Sequence, residues 1–167
     1  MRLELSPSDL CHAVLRRKPF TDEGWLFELK HDGFRAFVRR SASGVELLSR
    51  NARSMAKAFP EIVAAIATLP DAVLDAELIV PDSAGRSDFG ELQRRSLMRK
   101  LVSIDDAAVR RPAALIVFDV LQTGRADMRP LLDSVKQRDR LNDNHLGRLV
   151  GDDCRRLLVH VVAPVND

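Results

Sequence analysis

The sequence has little cysteine and no long apolar segment. Its 167 residues include two cysteines, Cys11 and Cys154, which lie far apart and without a CxxC motif or a Cys/His metal-ligand spacing. This excludes a disulfide scaffold and a zinc ribbon, and predicts reduced thiols in a cytosolic protein. No apolar run is long enough to cross a bilayer, and the N-terminus lacks a signal-peptide pattern. The sequence therefore predicts a cytoplasmic protein without membrane contact.

Excess charge of either sign is also missing. The net charge is +2, from 26 basic and 24 acidic residues. This balance does not by itself indicate a nucleic-acid partner. The length and the 46% hydrophobic content suit one domain with a real core.

The apolar pattern alternates in the first third of the chain. Residues 25–30 show period two, "FRAFVRRS" and "VELLSR" are expected to return as a second and a third strand, and the turn signals "HDG" and "ASG" separate the three. This pattern predicts an antiparallel meander. A short N-terminal helix, capped at Ser6 or Ser8, is expected before it.

Helical and strand patterns then alternate to the end of the chain. Helical spacing occurs in "SMAKAFPEIVAAIATL", "DFGELQRRSLMRK" and "RPLLDSVKQRDRL", and apolar strands in "AVLDAELIVP", "AALIVFDVLQ" and "RRLLVHVVAPV". Pro60 is expected to start or break the first helix, and Ser87 or Asp88 to cap the second. The order predicts an α+β fold, with antiparallel sheets and packed helices.

The stretch "ELKHDGFR", residues 28–35, places a lysine and an arginine on either side of a tight turn. In the simpler interpretation, Asp-Gly only makes the turn and Lys30 is a solvated lysine at a strand end. In the sharper one, Glu28 and Lys30 share a strand face and Arg35 reaches them across the hairpin. A deprotonated lysine is a nucleophile and an arginine binds phosphate oxygens as a fork, so the group suits amine attack on phosphorus.

Several segments, in order, resemble one superfamily. "ELKHDGFRA" resembles motif I, Lys-x-Asp-Gly-x-Arg, of the covalent nucleotidyltransferases: ATP-dependent DNA ligases, RNA ligases and mRNA capping enzymes. "LLSRNARSMAKAFPEI" resembles the ligase segment "SRNG…FPEI", and "VLDAELIV" resembles motif III. "FGELQRR", "LIVFDVL" (motif IIIa) and "RPLLDSVKQRDRL" resemble further ligase segments. Over about residues 19–162 the sequence is most similar to ATP-dependent DNA ligases, in particular bacterial ligase D of non-homologous end joining.

The resemblance implies roles in handling ATP and Mg²⁺. Lys30 matches the lysine that attacks the α-phosphate of ATP and carries AMP. Arg35 matches an arginine that contacts the nucleotide or the nick end, and Arg50 matches one near the ribose and phosphates. These assignments imply that nicked or broken double-stranded DNA is the substrate, in repair and recombination.

Three further residues match positions around the nucleotide. Glu28 matches a position that lines the adenine pocket. Glu77 matches the motif III glutamate, which contacts the ribose or helps to hold Mg²⁺. Phe118 matches the aromatic residue of motif IIIa that stacks on adenine. Taken singly, Glu77 could be an ordinary strand residue and Phe118 a core residue; the order of the motifs favours the functional interpretation.

The resemblance implies part of an ATP-grasp-like nucleotidyltransferase (adenylation) domain. Residues 1–18 match the family poorly, and residues 19–167 are expected to form the partial domain, without an oligonucleotide-binding domain. Motifs IV and V of the family are not found before Asp167. We therefore expect a truncated chain that is impaired alone, with a missing C-terminal ligase part or end-joining proteins as partners. The alternatives are an inactive ATP-binding remnant, one part of a split ligase, and an RNA ligase or capping-type enzyme.

Overall fold

A computed structural model describes residues 4–10, residues 31–130 and the backbone of residues 161–162. Within these ranges, six strands form one antiparallel sheet, in the order β2-β1-β3-β4-β5, and β6 pairs with the start of β4. The strands are β1 (Phe34–Ser41), β2 (Gly44–Ser49), β3 (Ala72–Ile79), β4 (Ala114–Thr123), β5 (Ala126–Asp127) and β6 (Val161–Val162). The expected α+β class, with antiparallel strands and packed helices, is confirmed.

Three helices connect the strands of this part of the chain: α1 (Pro60–Ala67), α2 (Phe89–Ser96) and α3 (Leu101–Arg110). Pro60 is the first residue of α1. A backbone N–H at this position would have no partner within the helix, so the missing N–H of proline costs no hydrogen bond. Asp88 caps α2, because its carboxylate accepts a hydrogen bond from the backbone N–H of Glu91 at 2.9 Å. Both features confirm the expectations from the sequence.

The helix expected to run to Lys100 is shorter than the sequence pattern predicts. It ends at Ser96, and Arg99 donates hydrogen bonds to the carbonyl oxygens of Ser96 and Met98 at 3.2 and 3.0 Å. The bond to Ser96 satisfies a carbonyl group that the helix leaves unpaired at its end. The separate helix α3, which follows, was not predicted.

The two faces of the sheet carry different residues. One face is the main core, where strand residues such as Val38, Leu74 and Leu78 pack against Ile62 and Ile66 of α1. The other face, which we call the site face, has a smaller apolar cluster and a row of charged residues beside it. Its cluster joins three strand residues to two from the N-terminal segment: Phe37, Val73, Leu121, Leu5 and Leu10.

The N-terminal segment lies against the site face through those two leucines. Leu5 and Leu10 are both buried, and a short 3₁₀ turn, Pro7–Asp9, lies between them. Of the two caps expected from the sequence, Ser6 and Ser8, Ser6 is the N-cap of this turn. Its backbone N–H donates a hydrogen bond to the Asp9 carboxylate at 2.8 Å. The segment therefore covers part of the site face.

The "FPEI" and "FGELQRR" segments meet in a buried ion pair. Arg95 of α2 is fully buried and donates a hydrogen bond to Glu61 of α1 at 2.6 Å. It also donates to the carbonyl oxygens of Arg111 and Ala58, and its guanidinium lies 4.9 Å from the centre of the Phe59 ring. These two ligase-like segments therefore hold α1 and α2 together.

Some expectations concern residues that the structure does not describe. The strand at residues 25–30, the helix expected in "RPLLDSVKQRDRL" and most of the last strand lie outside the described residues. Among the helices of the described ranges, none has the length and apolar content needed to cross a membrane.

Candidate functional site

The first group on the site face is an arginine clamped between a carboxylate and an aromatic ring. Arg35 of β1 donates two hydrogen bonds to Asp75 of β3, from Nε at 2.8 Å and from Nη2 at 2.5 Å. The Arg35 guanidinium carbon also lies 5.6 Å from the centre of the Phe118 ring, a cation–π distance. Asp75 is 1% exposed. The arginine is therefore held in one orientation while its side chain stays partly exposed.

Glu77 lies next to this group. The register pairs Arg35 of β1 directly with Glu77 of β3, so the two residues share the site face. Glu77 is half-buried. Because Asp75, Glu77 and Arg35 come from paired strands, the sheet itself fixes their spacing.

Gly33, in the "HDG" turn, packs tightly against β3 beside Glu77. A Cβ atom at this position would lie 2.4 Å from the backbone oxygen of Leu78 and 2.8 Å from Cγ of Glu77. No side chain fits at these distances, so the close approach requires glycine. The turn that follows Lys30 is thereby packed onto the strand that carries Glu77.

Arg50 lies at the same end of the sheet, in the turn after β2. The register pairs Ala36 with Ser49, which places Arg50 level with Arg35 at the sheet edge. Arg50 is exposed. The turn is closed by hydrogen bonds from Ala52 N to Ser49 O and from Ser49 N to Arg53 O, both at 2.9 Å.

Four of the six expected site residues therefore lie at one end of the sheet. Arg35, Glu77 and Phe118 are close neighbours, and Arg50 is at the adjoining edge. Lys30 and Glu28 lie outside the described residues, so the structure does not test their positions. Lys30 precedes Arg35 by five residues in the sequence.

Asp75 is the residue that the motif comparison missed, although it lies within the quoted segment "VLDAELIV". A carboxylate inside a run of apolar strand residues was a usable signal, since a buried charge needs a partner. Its partner, Arg35, is only identified by the pairing of β1 with β3.

The chemistry of this end of the sheet suits a nucleotide. Arginine side chains bind phosphate oxygens, and the ring of Phe118, which is half-buried, can stack on a base. In the part of the chain that the structure describes, no group of three or more His, Cys, Asp or Glu side chains could hold a metal ion by itself. Mg²⁺ commonly uses one or two carboxylates together with substrate phosphates, so Glu77 fits such a shared site.

The family model of the ATP dependent DNA ligase domain matches residues 10–151, most of the chain. The chain belongs to this family. The match includes all six expected site residues.

Two bacterial proteins illustrate the similarity. The bifunctional non-homologous end joining protein LigD of Bacillus subtilis is 33% identical over 123 residues, covering 69% of this chain and 20% of that protein. DNA ligase C of Mycobacterium tuberculosis is 44% identical over 108 residues, covering 60% of this chain and 28% of that protein. The chain thus spans less than a third of the length of either relative.

A solved ligase structure also resembles the chain. The ligase domain from M. tuberculosis LigD has a TM-score of 0.47 and 25% identity, covering 65% of this chain and 36% of that chain. The family assignment rests on the sequence match alone.

Proposed function

We propose that this chain is the nucleotide-binding part of an ATP-dependent DNA ligase, and that Lys30 takes AMP from ATP for the sealing of DNA breaks. The observation that carries the proposal is the convergence of Arg35, Glu77 and Phe118 on the site face. Family membership supports the use of ATP. A DNA substrate and a role in end joining are proposed from the relatives, and a cytoplasmic location remains a prediction from the sequence.

The proposed step is one phosphoryl transfer. The neutral amine of Lys30 attacks the α-phosphorus of ATP and forms a P–N bond, while the bond from the α-phosphorus to the bridging oxygen breaks. Pyrophosphate leaves, and the amine proton passes to solvent. The chain's contribution to such a reaction is positioning and charge stabilisation.

Each described residue has a separate proposed task. Arg35, oriented by Asp75, binds a phosphate oxygen of the nucleotide or of the nick end. Arg50 neutralises charge near the ribose and phosphates. Glu77 contacts the ribose or shares Mg²⁺ with the phosphates, which would lower the charge repulsion against an incoming nucleophile. Phe118 stacks on adenine.

The test is formation of the covalent adduct. The purified chain is incubated with ATP and Mg²⁺, and intact mass spectrometry measures the addition of one AMP. We expect the adduct in the parent chain and in the Lys57→Ala control, an exposed lysine outside the site. We expect none in Lys30→Ala.

The other outcomes separate the alternatives. An adduct that survives in Lys30→Ala contradicts the assignment of Lys30. A folded parent that binds ATP without forming an adduct supports an ATP-binding remnant instead. Preferential labelling by GTP indicates a capping-type enzyme.

A further inference from the structure

The large apolar side chains that are exposed in the described part of the chain all lie on α3 or in the turn that leads to it. Leu97, Leu101, Val102 and Val109 are each at least 70% exposed. A single exposed apolar residue is ordinary, but a group of them on one element indicates a binding surface. We call this surface the α3 strip, and it consists of these four residues together with Lys100 and Asp105.

The α3 strip faces away from the protein's own core. Ile104 and Ala107 are the buried residues of α3. Val102 and Val109 are seven positions apart, about two helical turns, so they lie on one line along the helix. Each of them is two positions from a buried residue, which places that line on the opposite side of the helix. Because α3 contacts α1, and α1 packs on the main core, a partner on the strip leaves the site face open.

The strip carries one charge of each sign that is available for a partner. Asp106 is already paired with Arg110 at 2.7 Å. Lys100, the N-cap of α3, and Asp105 are both exposed, and among the described residues neither takes part in an ion pair. The two unpaired charges are separated by about one turn of the helix.

This arrangement of charge selects the class of partner. An acidic segment or an anionic lipid surface would meet Asp105, and a basic segment would meet Lys100 and Arg99. A second copy of the chain avoids both repulsions when the two helices run antiparallel. In a two-fold symmetric interface, residue i of each copy contacts residue j of the other. A two-fold axis between Val102 and Ser103 therefore places each Lys100 opposite the Asp105 of the other copy.

We propose that this chain forms a weak antiparallel dimer through the α3 strip. The same two-fold axis packs Leu101 and Val102 of the two copies together, and it brings the Leu97 end of each strip to the Val109 end of the other. The apolar contacts supply affinity and the two charge pairs set the orientation. An interface built on one short helix is smaller than the standard size of about 800 Å² per partner, so the dimer is expected only at high protein concentration.

The test is self-association of the purified chain, measured by sedimentation velocity between about 10 μM and about 1 mM, the range of weak dimers. Lys100→Glu and Asp105→Lys each place two like-charge contacts in the dimer without touching the core. We expect each variant alone to associate at least about 5-fold more weakly than the parent. The matched control is Lys57→Glu, an exposed lysine that precedes α1, and it should associate as the parent does.

An equimolar mixture of the two charge variants tests the pairing itself. One variant has carboxylates at both positions and the other has amines at both, so one copy of each attracts the other although neither pairs with itself. We expect the mixture to associate within about 3-fold of the parent, and added salt to weaken this association. Recovery in the mixture excludes misfolding of either variant as the cause of its own loss.

Three results would overturn the proposal. They are a folded parent that stays monomeric over the whole range, charge variants that each associate as the parent does, and a mixture that stays monomeric. Vesicles of phosphatidylcholine and phosphatidylglycerol serve as a second probe. Vesicle binding by a monomeric parent, lost in Val102→Ser, would assign the strip to a lipid surface instead of a second copy.

Discussion

At the scale of single residues, the turn that carries Arg50 has a conformation that its own sequence disfavours. Ala52 has a φ of 57°, the left-handed region, where the related ligase segment "SRNG" has glycine. A Cβ atom in this region costs about 1–2 kcal/mol. We expect Ala52→Gly to raise the free energy of unfolding by about 0.5–1 kcal/mol, because glycine removes this strain but loses more entropy on folding. Urea denaturation measures the change.

The matched control is the same substitution where the backbone is helical. Ala64 is exposed and lies in the middle of α1. Ala64→Gly should lower the free energy of unfolding by about 1 kcal/mol. The opposite signs of the two changes identify the strain at Ala52. Destabilisation by both substitutions would contradict the strain.

The role of a residue could be predicted from the sequence when it depends only on neighbouring residues in the chain. The "ASG" turn between β1 and β2 and the Asp88 cap follow from chemistry within a few residues, and the sequence predicted both. Asp75 was missed because its role depends on a strand pairing across 40 residues. Glu77 and Phe118 were selected by resemblance to a family, since their residue types alone are compatible with an ordinary strand.

At the scale of elements, the ion pair between Glu61 and Arg95 holds α1 against α2. Removing one partner of a buried pair leaves the other charge without compensation and costs about 3–5 kcal/mol. We expect Arg95→Met to lower the free energy of unfolding by this amount, with Arg95 also losing its bonds to two backbone carbonyls. Chemical denaturation followed by circular dichroism measures the loss.

Two further variants test this explanation. Arg110→Met removes an arginine of α3 that is 76% exposed and pairs with the exposed Asp106, and it should change stability by less than about 1 kcal/mol. Glu61→Leu combined with Arg95→Met should recover part of the loss, because no charge then remains buried. If the double variant is less stable than Arg95→Met alone, the unpaired charge is not the cause.

The spacing of apolar residues did not predict helix α3, and the structure shows the reason. Leu101, Val102 and Val109 are 73%, 82% and 81% exposed, while Ile104 and Ala107 are buried. The apolar residues therefore do not mark a single face, and the helical period is lost from the sequence. The strands β1, β3 and β4 have several buried apolar residues each, and β2 has one, Leu47; all four were predicted near their observed positions.

At the scale of the whole molecule, the order of the strands explains how the site is assembled. β1 pairs with β2 by a short hairpin, but it also pairs with β3, which lies beyond α1 in the sequence. The hairpin follows from local turn signals, whereas the second pairing depends on packing between distant segments. That second pairing brings Arg35 to Asp75 and Glu77. The candidate site is therefore a product of the complete sheet, and sequence patterns could name its residues without placing them.

Because a ligand that binds only the folded state stabilises the whole chain, ATP binding can be measured as stability. At an ATP concentration of about 100 times Kd, the proposed site should add about 2.7 kcal/mol to the free energy of unfolding.

Phe118→Leu keeps an apolar side chain but removes the stacking surface, and should reduce that gain by about 1 kcal/mol. The control is Phe34→Leu, whose ring packs edge-on against Phe89 at 5.6 Å beside the main core. It should lower stability without ATP and leave the gain from ATP unchanged. Thermal unfolding with and without ATP distinguishes the two effects, and an undiminished gain in Phe118→Leu would show that adenine does not stack on this ring.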